Sequence, residues 1–140
     1  MHQHHRITHT QVIHAPVEKV WAALTEAQWV KQYFFGTELV TTWQVGSPIV
    51  FQGAWEGQTY KDQGTVLEYE DRKRLAFSYL SSWSGLEDQP ENYLWVCYEL
   101  EAQGPDTVVT IHQTNYDAEK AAHSAQNWKQ LMEAMAALIE

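Results

Sequence analysis

D-A-E-K-A-A-H-S-A-Q-N-W-K-Q-L-M-E-A-M-A-A-L-I-E, running from Asp117 to Glu140, decides how the rest of the chain has to fold. Its apolar positions Ala118, Ala121, Ala125, Trp128, Met132, Met135 and Ile139 recur at steps of three and four, the repeat of one face of an α-helix. At a rise of about 1.5 Å per residue the spacing predicts a helix of about 35 Å. One apolar stripe on so long a helix needs a sheet-like partner to cover it.

Upstream, that partner is legible. After Gly36 the pattern changes to period two, punctuated by turn signals at Gly46-Ser47-Pro48, Gly53, Gly57, Asp62 to Gly64, Asp71 to Lys73, Gly85 to Pro90 and Gly104-Pro105-Asp106. The alternation predicts strands over Glu38 to Trp43, Ser47 to Ala54, Tyr60 to Glu70, Arg74 to Ser81, Tyr93 to Glu101 and Thr107 to Asn115, an antiparallel meander. Ser82 to Asn92, carrying Glu87, Asp88 and Glu91, reads as a solvated loop. Alternation also assigns inward faces: Leu75, Phe77 and Tyr79; Leu94, Val96, Tyr98 and Leu100; Val109, Ile111 and Gln113. His112 and Cys97 fall on the opposite side, so His112 reads as surface-facing and Cys97 as a quiet buried or half-buried thiol.

Ahead of the meander, Arg6 to His14 reads as a first strand with Ile7, His9, Gln11 and Ile13 on one face. Ala15-Pro16 then opens a helix carrying Val17, Val20, Trp21 and Leu24, because proline suits the first helical position. Thr25 reads as the cap of a second short helix carrying Trp29, Val30 and Tyr33, ending near Phe34-Phe35-Gly36. Met1 to His5, M-H-Q-H-H, reads as a flexible polar tail; no carboxylate or cysteine beside its three histidines completes a metal-ligand set.

The 140 residues fit one domain over 1–140 that buries about two-thirds of the surface of its unfolded chain. The 18 acidic against 9 basic residues give a formal charge of −9, which repels nucleic acid and anionic lipid surfaces. Cys97 is the only cysteine, so no intramolecular disulfide forms, and no charged start followed by an apolar run marks secretion; a cytoplasmic setting is expected. No apolar window approaches the roughly 20 residues of a membrane span. The 7 Trp and 7 Tyr suit a core wrapped around a cavity.

These segments resemble a known family. A-P-V-E-K-V-W-A-A-L-T from Ala15 to Thr25 is similar to the A-P-x-x-x-V-W-x-A-L-T opening of the START-like helix-grip (SRPBCC, birch-pollen-allergen-like) superfamily, and more narrowly to the branch named for activators of the 90-kDa heat-shock chaperone ATPase. Gly64-Thr65-Val66 resembles that branch's G-x-V strand, Leu75 to Tyr79 its L-x-F-x-W with Tyr79 in place of Trp, and Thr107 to Ile111 its T-x-V-x-L. Trp128, Met132, Met135, Ile139 and Glu140 fall on W-x3-L-x2-L-x3-L-E, with methionine twice for leucine. Asn127 stands where the family often has glycine, and Gln113 where many relatives carry histidine. The resemblance implies an α+β helix-grip fold: a curved antiparallel sheet of about seven strands around the C-terminal helix, with two short helices after the first strand. It also implies a functionally mixed kinship of chaperone-binding domains, small-molecule carriers and cyclases.

Six strands curling around a long helix leave a wedge between the layers, because packed layers hold about 10 Å apart while curvature opens one end. Phe51, Trp55, Phe77, Tyr79, Tyr98, Gln113, Trp128 and Met132 are the expected lining of a ligand pocket there. The favoured function is non-catalytic binding of a hydrophobic or aromatic small molecule. One alternative is a chaperone-interacting domain acting through the outer sheet; another is a cyclase- or hydrolase-type enzyme using Tyr79, Gln113 or His9. Glu68 or Glu99 joins the pocket only if a strand register differs. No C-x-x-C, G-x-S-x-G or phosphate-loop motif occurs, so no catalytic residue, metal or cofactor is assigned. Oligomeric state stays open between monomer and dimer, with Trp43 and Trp83 as candidate exposed aromatics.

Overall fold

In the computed structural model, which describes residues 5–140, the chain runs β1 (Ile7–Ile13), α1 (Val17–Thr25), α2 (Ala27–Tyr33), β2 (Glu38–Thr41), β3 (Pro48–Trp55), β4 (Gln58–Glu70), β5 (Arg74–Tyr79), a short 3₁₀ turn (Pro90–Asn92), β6 (Leu94–Gln103), β7 (Asp106–Gln113) and α3 (Ala118–Ile139). The strands form one antiparallel sheet in the order β1-β7-β6-β5-β4-β3-β2. Strands β2 to β7 are thus the expected meander, and β1 closes onto β7 with Ile7 opposite Gln113 and Ile13 opposite Thr107. Met1 to His4 of the expected tail lie outside the described residues, whereas the His5 carbonyl accepts a hydrogen bond from Asn115 Nδ2 at 3.2 Å.

Helix α3 begins where the sequence supplies its cap. The Asp117 carboxylate accepts from the Lys120 amide at 2.8 Å, satisfying one of the free donors of the first turn. Its buried face is Ala121, Ser124, Trp128, Leu131, Met132, Met135, Ala136 and Ile139. Relative to the expected stripe, Ala118 is exposed and Ala125 only half-buried, while Ser124 and Leu131 join the face. A stripe drawn through apolar residues alone misses a buried serine and so sits slightly rotated.

The core between sheet and helices is made by Ile13, Val20, Ile49, Val66, Phe77 and Ile111 together with Met132 and Met135. Alternation predicted this face correctly on β5, β6 and β7, where Leu75, Phe77, Val96, Tyr98, Leu100, Val109 and Ile111 are all buried. On β4 the pairing shifts between Val66, opposite Phe77, and Glu68, opposite Ala76. A bulge of this kind re-aims side chains and bends the strand, so that Val66 and Tyr69, paired with Phe77 and Leu75, both join inward-facing partners. Gly64, just before it, is sterically required: a Cβ there would lie 1.7 Å from the Ser78 carbonyl oxygen.

Two local expectations are corrected. Thr25 does not cap α2; its hydroxyl donates back to the Trp21 carbonyl at 2.7 Å, and Glu26 holds the cap position instead. Strand β2 ends at Thr41 rather than Trp43, because Trp43 takes φ +61° and folds inward. Its indole donates to the Thr25 carbonyl at 2.9 Å and its ring meets Tyr69 at 5.8 Å, so Trp43 is a partly buried member of the core periphery, while Trp83 is exposed.

Candidate functional site

The wedge between sheet and α3 holds a cavity of about 210 Å³. Its sheet wall comes from Phe51 on β3, Phe77 and Tyr79 on β5, Val96 and Tyr98 on β6, and Gln113 at the end of β7. Ser124, Asn127, Trp128 and Leu131 of α3 form the opposite wall, and Phe34 and Phe35, just after α2, form one end. Spacings of three and four residues bring the four α3 side chains onto neighbouring turns of one helix side.

The rings form a continuous series across the site. Phe34 stacks on Phe51 with centroids 5.9 Å apart, Phe51 meets Phe77 at 5.6 Å, Phe77 meets Tyr98 edge-on at 5.8 Å, and Tyr98 meets Trp128 edge-on at 5.7 Å. Edge-to-face and offset contacts match the ring quadrupoles, so each ring is held by its neighbours as well as by area burial. At the opening, Phe35 is 54% exposed and packs on Trp55 at 5.7 Å.

Six polar residues reach this surface, and three of them, Tyr79, Gln113 and Trp128, are engaged by other side chains. The Trp128 indole N–H donates to Gln113 Oε1 at 2.7 Å. An indole can only donate, so this contact fixes which end of the Gln113 amide is oxygen. Tyr79 donates to Asp62 Oδ2 at 2.5 Å, and Asp62 Oδ1 accepts from the Ser82 amide at 2.9 Å. Burial, reinforced by the Asp62 carboxylate, raises the Tyr79 hydroxyl well above the ordinary tyrosine range. Behind the cavity, Tyr33 donates to the Ala23 carbonyl at 2.8 Å, and burial followed by the nearby Tyr98 raises it as well. Tyr98 is raised by burial alone. None of the lining residues carries a charge.

Of the eight residues expected to line a pocket, Phe51, Phe77, Tyr79, Tyr98, Gln113 and Trp128 come together around this cavity. Trp55 shares the alternation of Phe51 but sits at the end of the β3–β4 hairpin, half exposed, one ring out from the lining at Phe35. Met132 is fully buried one turn beyond Trp128, packed in the core rather than on the cavity surface. His9 is occupied on the edge strand with Gln11, its Nε2 3.0 Å from Oε1, and does not join Tyr79 and Gln113. Glu68 and Glu99 remain on the outer face. The expected lining left out Phe34, Phe35, Val96, Ser124, Asn127 and Leu131, although Val96 was read as inward-facing. The aromatic pair before Gly36 was the available signal for the first two.

A second depression, wide and open at about 520 Å³, lies between the β3–β4 hairpin and the loop after β5, lined by Gln52, Tyr60, Lys61, Ser82 and Trp83 among others. Among the described residues, no group of three His, Cys, Asp or Glu side chains is placed to hold a metal ion. None of the described helices is long and apolar enough to cross a membrane.

A seven-stranded antiparallel sheet gripping a C-terminal helix, with two short helices after its first strand, is the START-like, SRPBCC architecture. Within it, the chain belongs to the family described as Activator of Hsp90 ATPase homolog 1-like protein, whose model matches residues 14–140. The solution structure of ChR145 from Cytophaga hutchinsonii is 38% identical and superposes with a TM-score of 0.81, over 94% of this chain and 90% of that one. MLL2253 from Mesorhizobium loti, at 19% identity and TM-score 0.76, covers 95% of each chain. CalU16 from Micromonospora echinospora, at 21% identity and TM-score 0.76, is matched over 96% of this chain and 76% of its own, and with MLL2253 it attests the fold alone. No curated protein matches the chain.

Proposed function

We propose that the chain binds a compact hydrophobic or aromatic small molecule, without transforming it, in the cavity between β3–β7 and α3. The observation that carries this is the series of rings from Phe34 to Trp128 enclosing an uncharged space. Drug-sized ligands occupy pockets of about 300–1,000 Å³, whereas an apolar cavity of about 150 Å³ already takes up benzene. At 210 Å³ the site suits one or two fused rings rather than a lipid chain. Phe51, Phe77, Tyr79, Tyr98, Gln113 and Trp128 are its ligand-contacting residues, with Phe34, Phe35 and Leu131 completing the enclosure. A thermal-shift screen tests this: indole- or cresol-sized aromatics raise the melting temperature and palmitate does not. Equal response to both, or to neither, contradicts it.

The family description supports a second reading, contact with a heat-shock chaperone through the outer sheet. Co-purification with the purified chaperone, and acceleration of its ATPase, decides that one. The single free thiol Cys97 suits a reducing, cytoplasmic setting for either role.

A further inference from the structure

We propose that the Tyr98 hydroxyl, assisted by Ser124, is the anchor that selects a neutral one- or two-ring aromatic ligand bearing a hydrogen-bonding oxygen or nitrogen. This deepens the cavity-binding reading above and rests on it. Three polar lining residues have no hydrogen bond to another described residue, and since Asn127 is exposed to solvent, the buried pair is Tyr98 and Ser124. Tyr33 is engaged by Ala23, Tyr79 by Asp62, and Trp128 by Gln113. Tyr98, only 5% exposed, and Ser124, 8% exposed, have no hydrogen-bond partner among the described residues, and both line the cavity.

Among the described residues no buried side-chain oxygen or nitrogen lacks a partner, so these two hydroxyls open onto the cavity, where phenylalanine would fill the same ring position between Phe77 and Trp128 and present no polar group. A tyrosine there is explained if something entering the cavity completes it. Ser124 stands one helical turn before Trp128 on the opposite wall, so the two hydroxyls face the space from the sheet side and the helix side. Burial keeps Tyr98 in its protonated form throughout the neutral range, able to donate or to accept. With no charged side chain in the lining, an anionic or cationic ligand would lose its hydration and gain no counter-charge. The ligand is therefore neutral and aromatic, with one polar atom directed at Tyr98.

The test compares p-cresol with p-xylene, which has the same shape and a methyl group in place of the hydroxyl, and with p-toluate. Binding is followed by the indole N–H resonance of Trp128. The affinity ratio of p-cresol to p-xylene is expected to fall about fivefold in Tyr98→Phe, the worth of one neutral hydrogen bond. Ser124→Ala lowers the ratio by a smaller factor, and p-toluate binds at least about tenfold more weakly than p-cresol. Tyr98→Phe keeps or raises the melting temperature, since the lost hydroxyl has no internal partner, which separates the effect from unfolding. A ratio unmoved by Tyr98→Phe, or p-toluate binding as tightly as p-cresol, overturns the anchor while leaving the cavity reading in place. Failure of both neutral probes to bind the unaltered protein overturns the cavity reading and the anchor with it.

Discussion

The two faces of strands β5 to β7 are built from the same residues in alternation, yet they solve opposite problems. On the outer face the charged groups close a network. Arg74 reaches Glu68 at 3.2 Å and Glu99 at 3.1 Å, Glu99 accepts from or pairs with His112 at 2.6 Å, and the other nitrogen of His112 lies 2.9 Å from the Thr8 hydroxyl. His112 stacks on Trp95 with centroids 6.2 Å apart, and the Arg6 guanidinium lies 4.9 Å above the Trp95 ring. Beneath this layer Cys97 is fully buried. The inner face has almost no charge, a series of rings, and in Tyr98 a hydroxyl without a partner among the described residues. The contrast sets a paired polar layer outside against an uncharged cavity inside, where we propose that recognition takes place.

Truncation on the inner face is expected to have the largest effect on stability. Phe77 touches the rings of Phe51 and Tyr98 and is 2% exposed, so Phe77→Ala should cost about 4 kcal/mol in denaturant unfolding. A loss below about 1 kcal/mol would mean the inner rings are not a packed series. Next comes Gly64→Ala, whose Cβ collides with the Ser78 carbonyl oxygen, for about 3 kcal/mol by the same measurement. A neutral result there would show that β4 and β5 can part at the bulge.

The outer face is probed more gently. Burial raises the Cys97 thiol from 9.0 to about 11, outweighing the nearby Arg74 guanidinium, which lowers it. A raised thiol holds fewer thiolates at any pH below 11, so at pH 8 alkylation of the native protein should run about a hundredfold slower than that of a free cysteine. The rate should climb up to pH 11; fast labelling at neutral pH would mean the outer layer opens. The smallest effect is expected for Glu99→Gln. It weakens contacts to two partly exposed partners and should cost about 1 kcal/mol or less, diminishing further in high salt. A salt-independent loss larger than that from Phe77→Ala would reverse the contrast between the faces.

How much of this was legible beforehand follows from which forces act locally. Period-two alternation on β5, β6 and β7 and the three-four spacing of α3 report burial directly, so the sheet, the helix and six of the cavity's residues could be read from the chain. Trp43 could not, because its inward turn depends on a positive φ and on the Thr25 carbonyl, at a distant helix end, accepting its indole N–H. Thr25 itself resembled a cap, yet its hydroxyl found a nearer acceptor one turn back. The bulge in β4 leaves no compositional trace beyond Gly64. Phe34 and Phe35 escaped because residues after a helix lie where neither period applies, and Ser124 because a polar side chain on a buried stripe reads as surface. Trp55 and Met132 shared the right faces but not the right depth along them, which alternation does not encode.

The central claim, that the inner cavity receives a compact aromatic molecule, is tested most directly by mapping amide and indole resonances during titration with p-cresol. Saturable shifts should concentrate at Tyr98, Gln113, Ser124 and Trp128 and leave Arg74, Glu99 and His112 unmoved. Saturable shifts centred on the outer network, or no saturable shift at the cavity, would contradict it.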